Sequence, residues 1–391
     1  MGGASTRMLN AVKGLQMLGH RITLVSAFPH YPDGDVPNDL RTKALIKNRN
    51  GTMETYRVWV PPLPHKGLAR RLILYFTFSF SSLFPLLFIG EVDVIWITCP
   101  NYFDLIPGLA YKLLKRAPLI FDVVDLWPQA LEDVKSINSG FLTKVAKLMC
   151  KFFYRFPDAV TTLNSVMKKD VEAMGGQAYV VENVVDTSVF HPMNVKRPKH
   201  LENKFIVMYS GNLGIVYDFD TVLMAAKMLS NRSEIIFVIR GNGEQKEYIK
   251  KMINELKLKN VILDLDIVRI SEVAEKLNMA DVFLLPQRGT FNSKSTFPIK
   301  VFEYLSVKKP IIVSAKGEIA DFIKNINAGI VVEPENSTTL AEAIVALLNS
   351  PTLCWAFGER GYDYVREKLS IEKMGQKLVK CSLKVKNQTI S

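Results

Sequence analysis

Lys300 and Glu303 stand three residues apart in "TFPIKVFEYLSVKKPIIV", where Pro298 fixes the backbone at a helix start and Lys309-Pro310 leads into the next apolar run. A lysine in a first turn opposes the positive end of the helix dipole. It fits there when an anion is held, the ammonium and the free backbone amides sharing one phosphate. Glu303 lies on the same face, so an i,i+3 ion pair is the plain structural alternative. Two glycine turns point to the same ligand class: "GNLG", Gly211 to Gly214, and "RGNGEQK", which carries Gly241 and Gly243 behind Arg240. Either alone is a tight turn onto a helix; together in one sheet they suit a nucleotide.

These residues need a sheet to hold them. From Arg21 onward, short β-branched runs ("RITLVSA", "TYRVWV", "DVIWIT", "PLIFDVV", "DAVTTL", "AYVVEN") alternate with helical patterns, the mark of βαβ units on a parallel sheet. After a polar, proline-bearing stretch a second series begins, "KFIVMYSGNLG" to "AGIVVEP". The spacing predicts an α/β chain of two doubly wound domains, residues 1–185 and 205–369, joined by a linker at 186–204. The stretch after about Ser350 reads as two helices, the last at about 370–388 and able to pack back on the first domain. Ligands of such domains gather beyond the carboxyl ends of the strands, here in a cleft where the two face one another.

The chain opens on Gly2-Gly3 and an amphipathic helix with Met8, Leu9, Val12, Leu15 and Leu18 on one face, capped by Ser5 or Thr6 and stopped at Gly19. A doubly wound sheet normally has a strand before such a turn. We therefore expect the first strand of this domain to be missing from the sequence and to lie roughly 15 residues upstream.

At 391 residues with 48% hydrophobic and 23% charged positions, the chain can bury two cores. Its net charge of +12 suits phosphorylated ligands or an anionic membrane surface. The cations form no dense run and no zinc-finger, homeodomain or RNA-recognition pattern, so nucleic acid is not expected. Four dispersed cysteines without a CxxC fit a reducing compartment and argue against zinc. "DGD" at Asp33 and Asp35 and "DLD" at Asp264 and Asp266 each offer two carboxylates, but loops and strand ends carry aspartates commonly, and no metal is required. The stretch Leu72 to Gly90 is uncharged and about 28 Å long as a helix. Its serines, Pro85 and the strand that follows favour a buried or interfacial helix behind Arg70 and Arg71 over a span. "KVAKLMCKFFYRF" also suits an anionic lipid surface, or is a domain helix with snorkelling lysines.

The run from Phe297 to Ile344, "FPIKVFEYL" through "AGIVVEPENSTTLAEAI", resembles the donor-site helix and following segments of retaining glycosyltransferases of the GT-B fold, family 4. "FPHYPDGD" and "FDVVDLWPQALED" resemble the branch that includes L-fucosamine-type transferases of surface-polysaccharide assembly. The resemblance implies a nucleotide-sugar donor, a UDP-sugar first, with no further cofactor. It implies a hydroxyl acceptor on a lipid-linked saccharide, and a cytoplasmic chain peripheral on the inner face of the membrane. Carried onto this sequence, Glu303 accepts hydrogen bonds from the nucleotide ribose, Lys300 neutralises the diphosphate, and amides around Ser295 and Thr296 face the sugar. The loop Arg240 to Gly243 and the segment at Ile267 and Val268 cradle the base; Gly2 and Gly3 offer amides to the phosphates. His30, Tyr31 and Asp125 line the acceptor side, Asp125 standing where many relatives have histidine and being otherwise a helix cap. The sequence departs from the family at Ser295, where the first of two glutamates is expected, and at Asn212, where an arginine is usual, so that Arg288, Lys294 and Lys300 supply the charge. A nucleotide-sugar epimerase of the same fold, or a non-catalytic membrane-associated scaffold, are the alternative readings.

Overall fold

The computed structural model describes residues 3–30, 34–65, 67–99, 101–124, 126, 140–289 and 298–390. The chain divides into two compact units, 1–182 with 372–391, and 183–371.

The first unit begins with α1 (Gly3–Met17), β1 (Ile22–Ala27), β2 (Leu45–Asn50) and β3 (Met53–Val58). β1 pairs with β3 in parallel from Ile22 opposite Met53 to Ala27 opposite Val58, and β2 pairs antiparallel on the far side of β3. The β2–β3 hairpin was not foreseen: "LIKNRN" is too polar to read as a strand, although Asn50-Gly51 is a hairpin signal. Its two-residue loop needs positive φ at the first position, and Gly51 supplies φ 56. After α2 (Leu68–Ser81) and a 3-10 turn (Phe84–Leu87) come β4 (Ile95–Thr98), α3 (Leu105–Lys115) and β5 (Leu119–Val123), then β6 (Ala159–Thr162) and β7 (Ala178–Val180). The strands β4, β5, β6 and β7 form a second sheet in that order, parallel throughout. β5 is buried along its whole length.

At its centre Asp122 meets Arg7 of α1, both cut off from water. The guanidinium donates from Nη2 to Asp122 Oδ1 at 2.7 Å and from Nε to Oδ2 at 2.8 Å. Thr98 of β4 and Thr161 of β6 donate to the same carboxylate at 2.8 and 2.6 Å, and Arg7 also donates to the carbonyls of Val181 and Glu182. Every group in this network therefore has a partner, the condition for keeping charge inside. It also corrects the apolar face expected for α1. The helix buries Arg7, Asn10, Ala11, Val12 and Gly14, while Leu9 is exposed. The helix is rotated so that its arginine reaches the sheet and Gly14 can meet Gly375 of the C-terminal helix Ile371–Ile390. It starts at Gly3, so Ser5 and Thr6 lie inside its first turn rather than capping it.

That C-terminal helix buries Met374, Leu378, Cys381 and Val385 on one face, the last two against Ile120 and Ala159. Lys377 pairs with Glu182 and Lys386 with Asp93, each at 2.5 Å. α2 is tied in by Ser79, whose hydroxyl donates to Asp104 at 2.7 Å; burial pushes this carboxyl up to about 7.

The second unit holds one parallel sheet of six strands: β8 (Phe205–Ser210), β9 (Ile235–Arg240), β10 (Val261–Asp264), β11 (Val282–Pro286), β12 (Ile311–Ser314) and β13 (Gly329–Val332). Their order is β10-β9-β8-β11-β12-β13. The linker 186–204 is anchored on this unit: Asn278 binds the backbone of His191 and Met193, and Arg197 pairs with Asp281 at 2.8 Å. No single helix among the described residues is long and apolar enough to cross a membrane; α2 ends at Ser81, short of the uncharged stretch's full length.

Replacing Arg7 by Met leaves Asp122 buried without its countercharge and is expected to lower stability by about 3–5 kcal/mol. Thermal unfolding followed by circular dichroism measures it. The Arg7→Met, Asp122→Leu pair should recover most of the loss, and an unchanged unfolding temperature in the single variant would contradict the role given to this pair.

Candidate functional site

In the six-stranded sheet the chain runs outward from β8 through β9 to β10 on one side and from β11 through β12 to β13 on the other. The reversal falls between β8 and β11, and ligands of open parallel sheets bind beyond the strand ends at such a point. The loops that leave β8, β9 and β10 are laced together there. Gly211 N–H donates to Arg240 O, Gly241 N–H to Asp264 O and Leu213 N–H to Asn242 O, all at 2.9 Å. The Gln245 amide adds bonds to Gly214 O and Tyr217 O at 2.6 and 3.0 Å.

Against this lattice lies the helix Ile299–Ser306, preceded by Pro298. Tyr304 fixes its position: the ring stacks on Phe283 of β11 at 4.0 Å, and the hydroxyl donates to Ser210 O at 2.6 Å while accepting from Ser210 N–H at 2.9 Å. One turn earlier, Lys300 reaches the end of β8. Its ammonium donates to the Tyr209 hydroxyl at 2.6 Å and lies 4.3 Å from the Tyr209 ring and 4.0 Å from the Tyr217 ring. Tyr209 in turn donates to Asn212 O at 2.5 Å. Both faces attract a cation.

The glycines follow from this packing. Gly211 has φ 145, and a Cβ there would come within 2.6 Å of Lys300 Nζ. Gly241, at φ 136, would drive a Cβ into the Gly211 carbonyl. The two turns expected to suit a nucleotide are thus spaced by backbone contact, with one ammonium beside them.

Burial pushes Lys300 down to about 7, the charge of Glu303 opposing the shift. Burial likewise pushes Glu303 up to about 7 against the pull of Lys300. A site that strips a cation of water without enclosing it in carboxylates favours an incoming anion.

The other expected residues fall into four groups. Asn212 and Gly243 lie on the laced loops with Gly211 and Gly241; Ile267 is 88% exposed beyond β10, next to half-buried Val268. Arg240 is buried and engaged, its guanidinium 3.3 Å from Asp264 and in reach of Ser210 Oγ and Asp266 O, so it braces the loops. Arg288 donates to Ile215 O at 3.1 Å and faces Asp220 at 3.4 Å. In the first unit, Gly3 opens α1, and His30 binds Phe28 O at 2.7 Å and His65 Nε2 at 3.0 Å. Burial, then the charges of His30 and Arg71, hold His65 below the ordinary histidine range. Gly2, Tyr31, Asp125, Lys294, Ser295 and Thr296 lie outside the described residues. Sequence reasoning missed Tyr209, Tyr217 and Tyr304. Tyr209 stands two residues before Gly211 of the first glycine turn and Tyr304 immediately after Glu303, positions that only the folded sheet brings together.

Residues 192–364 match the Glycosyl transferases group 1 family, and residues 2–184 match the Glycosyl transferase 4-like domain. WcaI of Escherichia coli, described as a colanic acid biosynthesis glycosyl transferase, is 26% identical over 90% of this chain and 91% of its own. Among solved structures, sucrose-phosphate synthase from Thermosynechococcus elongatus aligns with a TM-score of 0.77 at 15% identity, covering 98% of this chain and 94% of that one. Anabaena HepE in complex with UDP and glucose aligns at 0.67 and 15% identity, over 97% and 95% of the two chains.

The depressed Lys300 has a direct readout: an amine neutral near pH 7 acylates where ordinary lysines do not. Labelling mapped by mass spectrometry should give Lys300 a reactivity midpoint of about 7. Glu303→Gln removes the charge that favours the ammonium and should move that midpoint lower. A midpoint near 10, typical of free lysine, would contradict the burial argument.

Proposed function

From two glycosyl transferase family matches that together span nearly the whole chain, we propose that it is a glycosyl transferase carrying out a specific reaction. A sugar passes from a nucleotide diphosphate, UDP first among the candidates, to a hydroxyl of a lipid-linked saccharide, with retained anomeric configuration. The process served is assembly of a surface polysaccharide, and the chain works at the inner face of the membrane. The observation that carries this reading is the Lys300 ammonium held between two tyrosine rings beside Gly211, at the point where the sheet reverses. The E. coli relative named for colanic acid supports the polysaccharide, and the UDP bound by HepE supports the base. An N-acetylated or amino sugar donor, as in the L-fucosamine-type branch, is the narrower form of the proposal.

In this reaction the bond between the anomeric carbon and the β-phosphate oxygen breaks, and its electron pair leaves with the diphosphate. Lys300 and the amides of the glycine turns lower the energy of that charge as it grows. The acceptor oxygen attacks the same face of the sugar, and its proton passes to the departing phosphate. Glu303 receives the ribose hydroxyls, which fixes the distance between diphosphate and base. Water kept from the site leaves the acceptor hydroxyl as the nucleophile.

A panel of nucleotide sugars, read by thermal shift and then by transfer of labelled sugar, identifies the donor. Lys300→Met should reduce turnover by about 10²-fold or more, and Glu303→Gln should weaken UDP binding. Transfer that survives Lys300→Met would remove the proposal, and the anomeric coupling of the product by NMR tests retention. A pH effect also follows. Burial holds Lys300 at about 7, and a bound diphosphate favours its charged form and raises it. Binding above pH 7 must then take up a proton, and UDP affinity should fall as pH rises through that range. Calorimetry in two buffers of different ionisation enthalpy measures the uptake; none at pH 8 would refute it.

A further inference from the structure

α2 is folded with its polarity reversed for a helix in water. Ser79, 2% exposed, faces inward and donates to Asp104, and Ser82 just beyond the helix is buried too. Ile73, Phe76 and Phe80 lie outward at helical spacing, Phe80 62% exposed, and the 3-10 turn that follows adds Phe84 and Leu87, the latter 76% exposed. Leaving these side chains in water forfeits the burial that ordinarily drives folding, while Ser79 and Ser82 take interior positions beside Leu74. The arrangement is favourable when an apolar phase covers the outer face.

Charge identifies the phase. A groove of about 750 Å³ runs along this face, lined among others by Arg41, Lys43, Trp59, Phe76, Phe80 and Phe84, and among the described residues no acidic side chain lines it. Arg41 and Lys43 are exposed. Arg70 stands on α2 one turn before Ile73, so a third cation borders the same apolar stripe. Aromatic and aliphatic side chains fringed by lysine and arginine match the boundary between the headgroups and acyl chains of an anionic bilayer. A second copy of the chain would bring the same net charge of +12 to the patch. Because no single described helix is long and apolar enough to span, the contact lies in the plane of the interface.

We propose that the outer face of α2 and its following turn dock on an anionic lipid bilayer, with Phe80 and Phe84 inserted and Arg41 and Lys43 against lipid phosphates. The proposal rests on the sugar-transfer reading only for its biological purpose, bringing a lipid-linked acceptor to the enzyme.

The test is flotation of the full chain with phosphatidylcholine vesicles containing about 30% phosphatidylglycerol, compared with phosphatidylcholine alone. Co-flotation is expected with the anionic vesicles and should drop about tenfold without the anionic lipid or in high salt. Phe80→Ser with Phe84→Ser, and separately Arg41→Glu with Lys43→Glu, should each abolish it while unfolding temperature and the UDP-induced thermal shift stay unchanged. Absence of flotation, insensitivity to lipid charge, or variants that float like the parent would overturn the proposal. So would a dimer in sedimentation that Phe80→Ser with Phe84→Ser dissolves. A parent protein that floats but shows no shift with any nucleotide sugar would count against sugar transfer and leave the docking surface standing.

Discussion

An ammonium group withdrawn from water must face electrons somewhere, and at Lys300 they come from two tyrosine rings and a phenol oxygen. The surrounding sheet is arranged by that need. Gly211 has no side chain because the lysine occupies the space; Gly241 has none because Gly211 is there; Tyr304 ties the lysine's helix to the end of β8. A sequence that changed any one of these would have to move the others. The glycine turns and the lysine are therefore one device, although they are separated by about sixty to ninety residues in the chain.

The first unit buries a cation too, with the opposite outcome. Arg7 meets a carboxylate in two-point contact, and that carboxylate is further satisfied by two threonines. Such a closed network gains little by admitting anything else, and it serves to orient α1 on β4, β5 and β6. Lys300 touches aromatic and hydroxyl groups, with Glu303 acting on it through charge and making no ion pair as close as that of Arg7, so a phosphate improves its surroundings. Whether a buried positive charge is part of the frame or part of the site depends on this difference in completion.

The sequence made the alternation of strands and helices legible because parallel strands buried on both faces are continuous β-branched runs, which "FIVMYS" and "IIFVIR" plainly are. Lys300 and Glu303 stood out for a related reason: a cation in a first helical turn conflicts with the local dipole. What escaped notice lacked a local signature. β2 is polar because it is an exposed edge; α1 turns on an arginine whose partner is 115 residues away. The tyrosines around Lys300 look like ordinary core aromatics until strand order places them side by side. That the linker 186–204 is anchored was not legible, because its partners, Asn278 and Asp281, come from far along the chain.

The helix Ile371–Ile390 completes the first unit with the last residues of the chain, its Gly375 set against Gly14 and its Cys381 against the β5 residue Ile120. On a ribosome, residues 183–371 can emerge and close their sheet while the amino-terminal half still lacks a wall. The domain translated first is thus the one finished second. A chain without that helix would carry an intact second unit attached to an unfinished first one, a natural substrate for chaperones and proteases.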